Sequence, residues 1–219
     1  MIRGNVQSSR GVTLVGAGAP SEAAIRHLLS HAPVLVAADG GANACHRFGL
    51  SPEAVIGDFD SVDPTLRDSL RETQFIHVTE QDSTDFEKSL TNIDAPFILA
   101  TGFTSARLDH TLAALSALAQ HEGRPVIVFG EDDIVFAAPE RLTLDLSAGT
   151  RVSLFPMAPI RGQSTGLKWP LEGLNLAPNG RIGTSNEATG PVTLKFDAPG
   201  CLVILPPEAL PSALAALTG

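Results

Sequence analysis

The sequence predicts an α/β protein, with a parallel-sheet, Rossmann-like domain at residues 1–135 and a small antiparallel β-sandwich domain at residues 136–219. Two observations predict this fold. Up to about position 130, short apolar runs alternate with segments of helical periodicity, which is typical of a parallel sheet with crossover helices. Beyond that point, apolar runs are separated by connectors rich in Pro and Gly, which is typical of an antiparallel sheet.

Apolar runs predict the strands of the first domain at positions 12–15, 34–38, 54–56, 75–78, 97–100 and 126–129. Ser21 is a predicted N-cap for a helix that ends near Leu29, because a serine hydroxyl can accept a hydrogen bond from the first turn. The best helical pattern lies at positions 107–121. Its apolar stripe, which we expect to face the core, consists of Leu108, Leu112, Leu115 and Ala119.

The second domain has five predicted strands, at positions 134–137, 142–146, 151–155, 192–196 and 202–205. The Ala- and Leu-rich segment at positions 207–217 predicts a closing helix.

Composition excludes several classes of protein. The chain of 219 residues has a net charge of −9 and only three lysines, so a nucleic-acid partner is not expected. No apolar run reaches the ~20 residues that span a bilayer, and the polar start at positions 1–10 lacks the apolar centre of a signal peptide. Cys45 and Cys201 lie far apart in the sequence, which gives no support for a disulfide scaffold or a zinc ribbon. We therefore expect a soluble cytoplasmic protein with no membrane association.

The aspartates of the first half follow the predicted strands. Nine of the 13 lie between positions 38 and 110, and those that come after strands are Asp39, Asp58, Asp60, Asp82, Asp85 and Asp109. Because the carboxyl ends of parallel strands share one edge of a sheet, these carboxylates are predicted to form one acidic rim. Hard oxygen ligands suit Mg²⁺, which usually takes one or two carboxylates together with substrate phosphates. The alternative is that the aspartates cap helices and fill turns.

Two cations accompany the acidic rim. Lys88 lies three residues after Asp85, so one helical turn can place both on one face, and Arg107 lies two residues before Asp109. Cations among carboxylates at strand ends suit a metal-bound polyphosphate, with ordinary ion pairing as the alternative.

The glycines of the first half carry little specific information. The segment Gly16-Ala17-Gly18 is either a strand-to-helix turn or a place where a ligand approaches the backbone, and the Gly-Lys-Ser/Thr of a P-loop is absent from the sequence. The pair Asp58-Phe59-Asp60 suggests a rival, the phosphatases of the haloacid dehalogenase type. That match is poor, because those motifs usually sit on the first strand and continue with Gly-Thr.

Six short motifs occur in order along the chain. Those of the first half are Asp39-Gly40-Gly41-Ala42-Asn43, Gly57-Asp58-Phe59-Asp60-Ser61, Gln81-Asp82-Ser83-Thr84-Asp85-Phe86-Glu87-Lys88 and Arg107-Leu108-Asp109-His110. Those of the second half are Ser164-Thr165-Gly166-Leu167-Lys168-Trp169 and Thr184-Ser185-Asn186-Glu187. Each alone is weakly specific, but the ordered set, which covers about positions 12–205, resembles the thiamine pyrophosphokinase (thiamine diphosphokinase) family.

The resemblance implies a Mg²⁺-dependent enzyme that transfers a pyrophosphoryl group from ATP to the hydroxyl of thiamine, giving thiamine diphosphate and AMP. It also implies a homodimer that binds thiamine where the first domain of one subunit meets the second domain of the other. Two hypotheses of other classes stay open. One is a Mg²⁺-dependent phosphohydrolase that uses Asp58 and Asp60, and the other is a non-catalytic sensor of thiamine or nucleotide.

The resemblance also implies roles for particular residues. The implied metal ligands are Asp58, Asp60 and Asp85, and the implied catalytic set adds Lys88 and Arg107. The implied ATP-binding residues are Asp39, Gly40, Thr84, Lys88, Arg107, Asp109 and His110. The implied thiamine-binding residues are Gln81, Trp169, Ser185 and Asn186, with a core position in the second domain as the alternative for Trp169.

The chain departs from the family pattern at two places. Ser105-Ala106 stands where the family often has Gly-Gly, and alanine at 113 or 114 replaces a common asparagine. If backbone approaches nucleotide phosphates at the first of these places, two added Cβ atoms change the fit.

Overall fold

The computed structural model describes residues 6–80, 82–104, 107–121 and 123–219, and its mixture of helices and strands confirms the α/β class. The chain divides into two compact units. The first contains Met1–Ala117 and Val128–Gly130, and the second contains Leu118–Ile127 and Glu131–Gly219. The predicted domain boundary after residue 135 stays a prediction.

The first unit alternates strands and helices. Its strands are β1 (Val6–Gln7), β2 (Val12–Val15), β3 (Val34–Ala38), β4 (Ala54–Gly57), β5 (Gln74–His77), β6 (Ile93–Asp94) and β7 (Ile98–Thr101). Its helices are α1 (Glu22–His31), α2 (Gly41–Arg47), α3 (Leu66–Ser69) and α4 (Asp85–Asn92). Two further elements, α5 (Leu108–Gln120) and β8 (Val126–Phe129), contain residues of both units.

Five strands of the first unit pair in parallel in the order β7, β2, β3, β4 and β5. The register brings the ends of β3 and β4 together, since Ala38 pairs with Ile56. Every residue of β2, β3 and β4 is buried, which explains why each reads as a continuous apolar run in the sequence. The loops that follow these strands therefore emerge at one edge of the sheet, as the positions of the aspartates predict.

The helices confirm one sequence prediction and correct another. Ser21 caps α1, because its hydroxyl accepts a hydrogen bond from the backbone N–H of Ala24 at 3.1 Å. The predicted apolar stripe of α5 is wrong at its start, where Leu108 is 74% and Leu112 is 57% exposed. The buried face of α5 consists instead of Ala114, Ala117 and Leu118. Small side chains permit close packing of a helix, so a face rich in alanine is buried here in preference to a more apolar one.

The second unit is built from antiparallel strands. They are β9 (Ile134–Ala137), β10 (Arg141–Leu144), β11 (Arg151–Pro156), β12 (Ile160–Leu167), β13 (Asn175–Leu176), β14 (Gly183–Phe196) and β15 (Cys201–Leu205). A 3₁₀ turn at Pro207–Ala209 leads into helix α6 (Leu210–Thr218). None of the helices in the described ranges is long and apolar enough to cross a bilayer.

Strand β14 organises the second unit, because it pairs with three other strands. Its first half pairs with β11, and its second half pairs with β10 and β12. The second half alternates buried and exposed residues, and its buried side chains are those of Val192, Leu194 and Phe196. The first half is polar in sequence, which is why only the second half was predicted as a strand.

Candidate functional site

Three aspartates converge at the carboxyl edge of the parallel strands. Asp39 follows β3, and Asp58 and Asp60 follow β4. Each offers a carboxylate oxygen, and these three oxygens all lie within 4.8 Å of one another. Because like charges at this distance repel, the arrangement is stable only with protons, cations or hydrogen-bond donors close by.

Asp39 is the buried member of this cluster. Its residue is only 1% exposed, and its Oδ1 atom has no hydrogen-bond partner among the described residues. Burial raises the pKa of Asp39, and the charges of Asp60 and Asp58 raise it further, although a hydrogen bond from Ser61 lowers it. The glycine at position 57 permits this approach, since a Cβ there would lie 2.8 Å from the Cβ of Asp39.

The loop between Asp58 and Asp60 has an unusual backbone. Phe59 has a φ of +67°, a left-handed conformation that is strained for a bulky residue. Its ring is held by aromatic neighbours on β5: it stacks on the His77 ring at 5.3 Å and meets the Phe75 ring edge-on at 5.5 Å. This packing anchors the segment that carries both carboxylates.

Lys88 links the cluster to a fourth carboxylate. Its side chain is 4% exposed, and its Nζ lies 3.2 Å from Oδ2 of Asp58 and 3.7 Å from Oδ1 of Asp85, as the spacing of Asp85 and Lys88 predicts. Burial acts to lower the pKa of Lys88, but the hydrogen bond and charge of Asp58 outweigh it and raise that pKa. The same hydrogen bond lowers the pKa of Asp58.

The pKa of Asp85 is shifted in the opposite direction to that of Asp58. Burial raises the pKa of Asp85, and the charge of Asp39 raises it further, while Lys88 lowers it. The carboxylates of the rim are therefore electrostatically coupled across three loops, and they differ in how readily each accepts a proton.

A cavity of about 580 Å³ adjoins these groups within the first unit. Its lining includes Asp58, Thr84, Asp85, Lys88, Arg107 and His110, together with Gly18 and Gly102. Thr84 caps helix α4, because its hydroxyl accepts from the Glu87 backbone N–H at 3.3 Å while the Glu87 carboxylate accepts from the Thr84 N–H at 2.8 Å. The cavity thus combines a carboxylate cluster, buried and exposed cations, and the start of a helix.

Arg107 forms an exposed two-point ion pair. Its Nε donates to one oxygen of Asp109 at 3.1 Å and its terminal nitrogen donates to the other at 2.6 Å. The hydrogen bond to Asp109 raises the pKa of Arg107, and the hydrogen bond from Arg107 lowers the pKa of Asp109. Asp109 therefore lies beside Arg107 at the start of α5 and is not part of the three-carboxylate cluster.

The residues of the cluster fit a hard divalent cation. Three carboxylates converge, and the buried, unpartnered oxygen of Asp39 is a ligand atom without a hydrogen-bond donor. Asp39 therefore joins Asp58 and Asp60 in this set. The resemblance implied a place for it near the metal or the phosphates, among the ATP-binding residues. Asp85 is outside the set and reaches Asp58 through Lys88, so its implied role as a metal ligand stays a prediction.

Three of the predicted thiamine-binding residues lie in the second unit. Trp169 is 55% exposed, so the alternative that it is a core residue is wrong. Ser185 has a φ of +60°, and its backbone N–H donates to the Ser153 hydroxyl at 2.9 Å. The Asn186 side chain is buried and bonds to the backbone of Trp169.

The other residues singled out in the sequence have the following positions. Gln81, Ser105 and Ala106 lie outside the described residues. Asp82 is exposed, and Gly40 is a buried residue that precedes α2. Gly16 packs against Gly102, since a Cβ on Gly16 would lie 2.6 Å from the Gly102 carbonyl oxygen. Gly16 therefore serves the turn, while Ala17 and Gly18 line the cavity.

Sequence reasoning assigned no role to two residues that build the site. Phe59 anchors the loop of Asp58 and Asp60, and Asn43 bridges to that loop: its side chain donates to the Ser61 carbonyl at 2.7 Å and accepts from the Asp63 N–H at 3.0 Å. Both residues lie inside the motifs quoted above, and this position was the only feature of the sequence that could have pointed to them.

Comparison with protein families gives two matches. Residues 25–128 match the model of the thiamin pyrophosphokinase catalytic domain. Residues 140–201 match the model of the thiamin pyrophosphokinase vitamin B1 binding domain. Among curated relatives, thiamin pyrophosphokinase 1 of Caenorhabditis elegans is 31% identical over 183 residues, which is 74% of this chain and 74% of the relative.

Solved structures share the fold. The thiamin pyrophosphokinase of Candida albicans aligns with a TM-score of 0.74 at 17% identity, covering 93% of each chain. That of Geobacillus thermodenitrificans aligns with a TM-score of 0.72 at 23% identity, covering 90% of this chain and 96% of the other.

Proposed function

The chain belongs to the thiamin pyrophosphokinase family, and we propose that Asp39, Asp58 and Asp60 hold the divalent cation that its ATP-dependent reaction uses. It is a diphosphotransferase that moves a pyrophosphoryl group from ATP to the hydroxyl of thiamine. A bond forms between the thiamine oxygen and the β-phosphorus, the bond from the β-phosphorus to the oxygen shared with the α-phosphorus breaks, and AMP leaves. The hydroxyl proton passes to a base.

The convergence of three carboxylates beside a cavity that Lys88 and Arg107 line is the observation that carries this assignment. Mg²⁺ is the proposed ion, because it accepts oxygen ligands and usually binds through one or two carboxylates and substrate phosphates. When bound, it supplies positive charge that stabilises the phosphoryl oxygens as negative charge develops on them.

The chain's own cations have distinct proposed roles. Lys88 is buried and fixed between two carboxylates, so it presents a positioned charge to the polyphosphate at little cost in reorganisation. Arg107 is exposed and lines the same cavity, where its planar guanidinium suits two phosphate oxygens. His110 and Thr84 line the cavity and complete the proposed nucleotide site.

Asp85 is the proposed proton acceptor. Burial raises its pKa, and a base works best when its pKa lies closer to the working pH. Asp60 suits this role less well, because it belongs to the proposed metal cluster and is exposed.

Thiamine is proposed to bind through Trp169 and Ser185 of the second unit. A cationic aromatic ligand gains from stacking on an exposed indole ring, and Trp169 is both exposed and attached to a fixed backbone. Gln81, also implied by the resemblance, stays a prediction.

Four further expectations are also proposals. A Rossmann-like form of the first unit is supported by its five parallel strands. A sandwich form of the second is supported by the way β14 pairs with different strands along its length. The homodimer and the cytoplasmic location stay predictions, and light scattering of the purified protein tests the first.

The assignment is tested by incubating the protein with thiamine, ATP and Mg²⁺ and separating the products. We expect thiamine diphosphate and AMP in equal amounts, with both lost in Asp58→Asn by about 10²-fold or more. Phosphate released without thiamine would support the phosphohydrolase instead, and ligand binding without turnover would support the sensor.

A further inference from the structure

Trp169 has an exposed ring and a backbone that is held by two hydrogen bonds. It is the only tryptophan of the chain and lies two residues beyond the end of β12. With 55% of the residue exposed, packing of the ring alone does little to fix its position. Something other than burial must determine how the ring is presented.

The side chain of Asn186, on β14, binds both polar groups of the Trp169 backbone. Its Nδ2 donates to the Trp169 carbonyl at 2.7 Å, and its Oδ1 accepts from the Trp169 N–H at 3.2 Å. The same Oδ1 accepts from the N–H of Glu187 at 2.9 Å. Asn186 is 7% exposed, so these hydrogen bonds are partly shielded from water.

This side chain continues the strand pairing beyond the point where β12 ends. Leu167 pairs with Ala188, and the Lys168 N–H donates to the Glu187 carbonyl at 2.9 Å. The next backbone position along is Trp169, whose partner is the Asn186 amide in place of a backbone group. Pro170 follows and restricts Trp169 to extended conformations.

The Trp169 ring also has a charged neighbour. Nζ of Lys168 lies 5.0 Å from the ring centroid, within the range of a cation–π contact. The same Nζ lies 3.3 Å from a carboxylate oxygen of Glu187. Because Glu187 offsets this charge, Lys168 can support the ring without strongly repelling a cationic ligand that approaches its exposed surface.

We propose that Asn186 is a positioning residue for thiamine: it fixes the backbone of Trp169 so that the ring is preset for stacking, and it is not itself a thiamine contact. This inference rests on the proposed function. Both acceptor sites of Asn186 Oδ1 and one of its two N–H donors are already used. A ring that is fixed beforehand loses less conformational freedom when the ligand binds, and this raises affinity without a new contact.

The test uses the fluorescence of Trp169, which reports on this site alone. The variants are Asn186→Ala, which removes all three hydrogen bonds, and Asn186→Asp, which keeps the size of the side chain but removes the donor to the Trp169 carbonyl. The matched control is Asn179→Ala, at an exposed turn of the same unit. Fluorescence anisotropy and acrylamide quenching are measured without ligand, and KM is then measured for thiamine and for ATP.

In both Asn186 variants we expect lower anisotropy and stronger acrylamide quenching of the ligand-free protein. The KM for thiamine should rise about five- to tenfold, as for loss of one buried hydrogen bond, with the KM for ATP unchanged. The Asn179 control should match the natural protein. If Asn186→Ala does not fold, as judged by circular dichroism, the isosteric aspartate variant decides.

Unchanged ligand-free fluorescence in a folded Asn186 variant would overturn the positioning role, and a raised KM for thiamine alongside it would indicate a direct contact. An equal rise in both KM values would also overturn it. If the natural protein shows neither turnover nor thiamine-dependent quenching, the proposed function fails, and the stacking fails with it. In that case the anisotropy of the ligand-free Asn186 variants would still show whether Asn186 fixes the Trp169 backbone, so the two failures can be told apart.

Discussion

Replacing Asp39 by asparagine should stabilise the ligand-free protein and weaken its response to magnesium. The substitution keeps the shape of a side chain that is 1% exposed but removes its charge. In the natural protein this charge is buried, has an unpartnered oxygen, and lies near two further carboxylates. The asparagine amide can instead donate a hydrogen bond toward those carboxylates.

The size of the effect follows from the separation of the carboxylates. At up to 4.8 Å, two unit charges repel by about 1 kcal/mol in water and by about 3 kcal/mol at an effective dielectric constant of 20. Solvent screens the exposed Asp60, and Lys88 offsets the charge of Asp58. A net gain of about 2 kcal/mol is therefore expected, and for a chain of this length it raises Tm by about 4–8 °C.

The assay is thermal unfolding with and without Mg²⁺ and a non-hydrolysable ATP analogue. A ligand at about 100 times its Kd stabilises the natural protein by about 2.7 kcal/mol. The asparagine variant should lose most of this increment, because a neutral amide binds a hard cation more weakly. Asp82→Asn is the matched control, since Asp82 is exposed and outside the cluster, and it should change neither value.

The two readouts have opposite signs, so a general loss of structure cannot imitate the expected result. A variant with a lower ligand-free Tm and an intact magnesium increment would refute the reasoning, because the Asp39 charge would then be stabilising and uninvolved in metal binding.

Four further outcomes follow from the same site. Lys88→Met should lower kcat/KM for ATP by about 10²-fold or more in steady-state assays, because a buried, positioned cation is lost; a change below threefold would contradict its role. Arg107→Ala should leave Tm unchanged, since exposed ion pairs contribute little, while raising the KM for ATP; a large fall in Tm would contradict this. Phe59→Ala should raise the magnesium concentration for half-maximal activity, because the strained loop loses its aromatic anchor, whereas an unchanged magnesium titration would argue against anchoring. The pKa values of Asp39 and Asp85 are both raised. Asp39 belongs to the proposed metal set, so protons compete with the metal above the ordinary value of 3.8, and the magnesium concentration for half-maximal activity should rise as the pH falls from neutral toward that value. By the same sign, these two groups make the ligand-free protein less stable as pH rises through their folded pKa values.

The sequence predicted the strands of the first unit well, because parallel strands are buried on both faces. Strands β2 and β3 have the predicted bounds, and β4 ends one residue later than predicted. Strand β5 begins and ends one residue earlier than predicted, and β7 begins and ends one residue later. A continuous apolar run of this kind can be recognised in the sequence without knowledge of the tertiary structure. Helix α2, by contrast, was not predicted, because its sequence starts with glycine and has little apolar periodicity.

The strands of the second unit were predicted only where they are apolar. Strand β12 contains Gly162, Gln163 and Ser164, and its residues became a strand through pairing with β14 rather than through their own propensity. The two-residue pairing of β1 with β6 was also unpredicted, since it joins segments almost 90 positions apart in the chain.

The candidate site, like the fold, could be predicted from the sequence only in part. Its location could be predicted, because strand ends of a parallel sheet meet at one edge whatever the details of packing. Membership of the three-carboxylate cluster could be predicted only in part. The resemblance implied Asp58 and Asp60, but the place of Asp39 beside them depends on the left-handed backbone at Asp39, where φ is +41°, and at Phe59. For residues other than glycine these conformations leave no clear sign in a sequence.

These backbone conformations help to hold the three repelling carboxylates close together. The strained residues Asp39 and Phe59 directly follow or lie close to strands whose residues are wholly buried, and the pairing of Ala38 with Ile56 fixes the two loops relative to each other. The sheet and the aromatic contacts of Phe59 thus stabilise a loop geometry that the loops alone would not adopt. Because the repulsion is already present before binding, a cation that enters the cluster gains from relieving it as well as from its own ligands. Any substitution that reduces the repulsion within the cluster should therefore lower the affinity for the metal and raise the stability of the ligand-free protein.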